Sequence, residues 1–156
     1  MKTKHRVASH AKRKFMADPL AMYRLFNKIK PFDADEQMQL NLPVRLAFES
    51  LKSGKGEEGD FHTLAAAVNV CMIRSESIDP MAEMTAIAGR DAMVRTWERF
   101  QRTSKFGFDG LALQDLPIVI DLHEQLIALS TPKQMADAMQ TAIKRMDAGQ
   151  HLGGAA

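Results

Sequence analysis

A chain of 156 residues has the length of one domain and can bury a sizeable core. Its composition, 46% hydrophobic and 26% charged, is that of a globular protein, and it has no run of about 18 apolar residues to form a membrane-spanning helix. One cysteine, Cys71, excludes an internal disulfide and fits a reducing, cytoplasmic setting.

The formal net charge of +2 conceals an asymmetry. Residues 1–30 carry nine Lys/Arg against one acid, Asp18, whereas residues 31–156 carry 12 Lys/Arg against 18 Asp/Glu. A basic end joined to an acidic body points to an acidic partner.

Residues 1–14, MKTKHRVASHAKRK, have no apolar stripe and form a basic N-terminal arm. Lys2, Lys4, Arg6, Lys12, Arg13 and Lys14 are suited to neutralising nucleic-acid phosphates, which releases counterions and makes binding salt-dependent. The same charge suits an acidic protein surface, on this chain or another copy, or an acidic membrane surface. No apolar stretch follows the arm, so it does not read as a secretory signal.

Asp18-Pro19 has the form of a helix start, with Asp as cap and Pro in the first turn. Leu20, Tyr23, Leu25, Phe26 and Ile29 then recur at helical spacing until Pro31. Arg24, Lys28 and Lys30 would carry the basic surface onto the body.

Asp33 and Glu36 form a D-x-x-E capping box ahead of a helix from Ala34. Met38, Leu42 and Leu46, with Leu40 and Val44, supply its apolar residues, and Pro43 is expected to kink or split it. Val44, Leu46, Ala47, Phe48 and Leu51 make the second half amphipathic. SGKGEEGD, residues 53–60, reads as a loop and lacks the GxxxxGK[ST] pattern of a phosphate-binding loop.

Asp60 is the expected cap of a helix from Phe61 to about Ser77, with Phe61, Leu64, Val68, Cys71 and Met72 on one face. On that face Cys71 behaves as an inert small hydrophobe. The run TLAAAVNVCMIRSES faintly resembles a helix-turn-helix, but Asp79-Pro80 truncates the second helix such a motif needs.

Asp79-Pro80 opens the longest predicted helix, to about Lys105, with Ala82, Ala86, Met93, Trp97 and Phe100 on one face. Arg95, Arg99 and Arg102 lie nearly opposite, a stripe able to bind phosphates or carboxylates, although Asp91 and Glu98 flank it. Gly107 and Gly110 are read as breakers.

LPIVIDLHEQLIALS, residues 116–130, is the most apolar stretch and the expected central helix. Asp115 is its expected cap, with Pro117 in the first turn. Leu116, Val119, Ile120, Leu126 and Ile127 share one arc, which Ile118, Leu122 and Leu129 widen past half the circumference. The β-branched run Ile118-Val119-Ile120 leaves a short buried strand as an alternative. His123 falls in the apolar arc and reads as a core histidine whose ring nitrogens are satisfied by backbone or a neighbour. His123-Glu124 begins like a zinc-binding HExxH, but residue 127 is Ile and the second ligand is missing.

Thr131-Pro132 starts the last helix, with Met135, Met139, Ala142, Ile143 and Met146 inward and Gly149 at its end. No nucleophile elbow, dinucleotide fingerprint or Cys/His metal spacing is present.

The sequence therefore predicts an all-α, single-domain bundle of six or seven helices over residues 15–149, with a basic arm over 1–14 and a tail over 150–156. The first functional expectation is a cytoplasmic accessory protein that contacts nucleic-acid phosphates, without base specificity, through Lys2, Lys4, Arg6, Lys12, Arg13, Lys14, Arg24 and Lys28 and the Arg95–Arg99–Arg102 stripe. The alternative is a non-catalytic protein-interaction module or adaptor, self-associating or docked on an acidic protein, that uses Met-rich helix faces; the chain has 11 methionines. No cofactor is expected from either.

Overall fold

The computed structural model describes residues 30–150. Five α-helices and no strand occur among them: α1 (Ala34–Lys52), α2 (Glu58–Ser75), α3 (Pro80–Thr103), α4 (Gly110–Leu129) and α5 (Pro132–Asp147). The all-helical expectation holds, and Ile118–Ile120 are helical. The count is five rather than six or seven, because Pro43 does not split α1 and the helix expected over 18–30 lies outside the described residues. Pro43 sits on the exposed side of α1, where losing one backbone bond strands no polar group in the core.

Side-chain caps set most helix starts. Asp33 Oδ1 accepts from the Glu36 amide and Glu36 Oε2 from the Asp33 amide, each at 2.9 Å. Thr131 and Gln134 reproduce this arrangement at the start of α5. Two starts differ from expectation. Helix α2 begins at Glu58, inside the expected loop. Asp60 therefore lies in its first turn, where Oδ2 accepts from the Glu57 amide at 3.0 Å and from Ser50 Oγ at 2.8 Å. Helix α4 begins at Gly110, and its cap is Asp109, whose Oδ1 accepts from the Ala112 amide at 2.7 Å. Asp115 is inside the helix, and Gly110 begins it rather than breaking one. Helix α3 ends at Ser104, in the left-handed region at φ 55°, with its amide donating to the Phe100 carbonyl at 2.7 Å.

The central element is α2, not α4. Helix α2 packs against all four other helices, whereas α4 packs chiefly against α1, α2 and α3. The reason lies in side-chain size: Ala65, Ala67, Val68, Val70 and Cys71 are all buried on α2 and let neighbours approach from several sides. On α4, Leu116, Val119, Ile120, His123, Leu126 and Ile127 are buried, but Ile118 and Leu129 from the expected apolar arc are exposed. Helices α3 and α4 approach closely at Gly89. A Cβ at Gly89 would stand 2.7 Å from Val119 Cγ2, so only glycine fits there. Phe61, Trp97, Phe100 and Phe106 form an aromatic cluster at one end of the bundle, with Phe100 and Phe106 stacked at 4.0 Å between centroids. A second core cluster, Phe32, Val70, Ile127, Met135, Ala136 and Ala138, joins the entry of α1 to α5.

Candidate functional site

Of the sequence-predicted site residues, Lys2, Lys4, Arg6, Lys12, Arg13, Lys14, Arg24 and Lys28 lie outside the described residues. The arginine stripe on α3 is within them, and its three members are not equivalent. Arg95 is part-buried and bound to α4: Nε donates to Asp109 Oδ2 at 2.8 Å, and its terminal nitrogen lies 3.7 Å from Asp115 Oδ2. A phosphate would have to displace two carboxylates to reach it. Burial raises the Asp109 carboxyl, but the Ala112 amide, the Arg95 hydrogen bond and the Arg95 charge together hold it below its usual range. Arg99 and Arg102 are exposed and make no ion pair among the described residues. The stripe thus leaves two cations for a ligand.

The two groups with chemical potential inside the body are closed off. Cys71 is fully buried beside the Val119 carbonyl, and burial pushes its thiol up to about 12, so it is not a nucleophile near neutral pH. His123 is buried, which lowers its imidazole to about 4 against the opposing charge of Glu124. The ring is a core residue as expected, but its nitrogens are not all satisfied as expected: Nδ1 has no hydrogen-bond partner. No group of three His, Cys, Asp or Glu side chains among the described residues is arranged to hold a metal ion. None of their helices is long and apolar enough to cross a membrane.

The feature that sequence reasoning left unresolved is the outer face of α1, whose Leu46 it grouped with Val44, Ala47, Phe48 and Leu51. Val44, Ala47, Phe48 and Leu51 take the buried side. Met38, Leu42 and Leu46, one turn apart, are left on the opposite side at 60%, 52% and 60% exposure. Asp35 and Glu49 stand at the two ends of this row at helical spacing. Beside it Arg45 reaches across to α4, donating to Glu124 and, at 3.2 Å, to Asp121. The signal was present in the sequence, because α1 carries two apolar rows and only the row 44-47-48-51 is dense enough to be the core side. Further exposed methionines, Met81 and Met84, lie at the start of α3 near exposed Ile78.

Comparison with known protein families, curated proteins and solved structures finds no match.

Proposed function

We propose that the chain is a non-catalytic protein-interaction module whose docking face is the outer side of α1. The observation that supports this is the exposed row Met38–Leu42–Leu46, set where a surface helix ordinarily carries charge. Three apolar side chains one turn apart are the pattern by which one helix engages another. Met38 is unbranched and polarizable and adapts to the shape of what it meets. Asp35 at one end of the row favours a partner with a cation flanking its apolar contacts, whereas Glu49 at the other end lies 3.5 Å from Lys52 Nζ. The reading assigns the module to the cytoplasm, supported by a lone buried thiol. A photo-crosslinking residue at position 42 is expected to capture a protein that the same residue at exposed position 101, on α3, does not. Equal labelling from both positions would refute the docking face.

A second reading, backbone contact to nucleic acid, draws support from exposed Arg99 and Arg102 at the C-terminal end of α3, together with the excess positive charge of residues 1–30. Binding of fluorescent DNA and RNA at about 50 and about 200 mM salt tests it, using full-length protein, protein lacking residues 1–14 and an Arg99→Ala/Arg102→Ala variant. Phosphate binding falls steeply with salt and falls again in both variants. No binding at the lower salt removes this reading.

A further inference from the structure

Resting on α1 as a docking face, we infer that its occupant is the N-terminal segment, residues 18–30, of a second copy of this chain, exchanged reciprocally about a two-fold axis. Two observations converge on that segment. The first is pattern and length. Met22, Leu25, Phe26 and Ile29 share one face at helical spacing, with Arg24 and Lys28 opposite. As a helix residues 20–29 would be about 15 Å long, and the row from Met38 to Leu46 rises about 12 Å.

The second observation is the side from which the chain enters α1. Phe32 is 3% exposed and packs in the cluster with Val70, Ile127 and Met135, against which Leu40 also lies. Gln37 Nε2 donates to the Phe32 carbonyl at 2.9 Å and fixes that entry. Pro31 disfavours helical backbone at Lys30, which forms a bend ahead of it. The chain therefore reaches α1 on its inward side, whereas the apolar row faces outward. To cover its own row, the segment would have to turn back around the Asp33 cap. On a partner copy the same row stands open. Reciprocal exchange gives a closed, isologous pair in which each copy donates one segment and accepts one.

The test is the solution mass of the full-length chain by light scattering. Wild type is expected at twice the 17.4 kDa of one chain. Two variants each lose one half of the contact: Leu42→Lys/Leu46→Lys removes the row, and Leu25→Asp/Phe26→Asp removes the segment's apolar face. Each variant alone is expected at the mass of one chain. A mixture of the two retains one intact contact and is expected to recover part of the double mass. A wild-type mass of one chain overturns the inference, as does a row variant that keeps the double mass. Failure here is separable from failure of the docking face: crosslinks from position 42 that join two copies support self-pairing, and crosslinks only to a different protein keep the face and overturn the pairing.

Discussion

The α3–α4 seam and the outer face of α1 are built from the same residue types and end in opposite states. At the seam Gly89 lies under Val119, Leu116 is fully buried, and Arg95 is held by Asp109 and Asp115. Each large or charged group there is packed or ion-paired, although one terminal nitrogen of Arg95 makes no hydrogen bond. On α1 the row Met38–Leu42–Leu46 has the hydrophobicity of a core and the exposure of a surface. Apolar surface left in water gains nothing from folding, so the row contributes little to the stability of the chain alone. It contributes when something covers it. The comparison separates what holds the fold from what is free to act.

The largest expected effect comes from the seam. Leu116→Ala empties a fully buried site and should cost about 2–5 kcal/mol in denaturant unfolding. Leu42→Ala on α1 should stay within about 0.5 kcal/mol when the chain is measured as a single copy. If the two substitutions cost the same, the outer row is packed in solution and the distinction between the two regions fails.

A second effect of similar size belongs to His123. Unfolded, its imidazole takes up a proton near its ordinary value of 6.5, whereas the buried ring resists until about 4. Between those values the unfolded chain binds more protons, so stability rises with pH across this window and is lost as pH falls through it. The shift corresponds to about 3 kcal/mol between neutral pH and about pH 4. Urea midpoints at about pH 7 and about pH 4.5 should show most of this loss. The loss should shrink in His123→Gln, which cannot titrate. An unchanged slope in that variant would place the acid sensitivity in the carboxylates instead.

Local chemistry was the most legible part of the fold. The Asp33–Glu36 box, Asp79-Pro80 and Thr131-Pro132 all open helices where short-range signals put them. The burial of Cys71 and His123 followed from helical periodicity. The assignment of centre and surface did not follow, because it depends on which helices meet. Helix α2 is central through its small residues, which carry less hydrophobic signal than LPIVIDLHEQLIALS. Ile118 and Leu129 look like core in one dimension and prove exposed once α1, α2 and α3 have taken the other side of α4. Arg95 looked equivalent to Arg99 and Arg102 on the helical wheel. Its difference comes from Asp109, fourteen residues away, which no pattern within α3 reveals.

That aspartate supplies the smallest of these effects and the most discriminating one. Asp109 caps α4 through the Ala112 amide and also holds Arg95, whereas Asp115, the cap expected from sequence, only approaches Arg95 at 3.7 Å. Asp109→Ala loses the cap and leaves Arg95 without its close partner, for an expected cost of about 1–2 kcal/mol. Asp115→Ala loses a longer, partly exposed ion pair, for an expected cost below about 0.5 kcal/mol. Asp109→Asn separates the two roles of Asp109, because asparagine keeps the capping oxygen while losing the charge, and it should recover most of the capping contribution. Freed of its partner, Arg95 would also become available to an anion beside Arg99 and Arg102. If Asp109→Asn strengthens DNA or RNA binding at low salt, the seam is what withholds Arg95 from that surface. If binding does not change, Arg95 takes no part in holding phosphates.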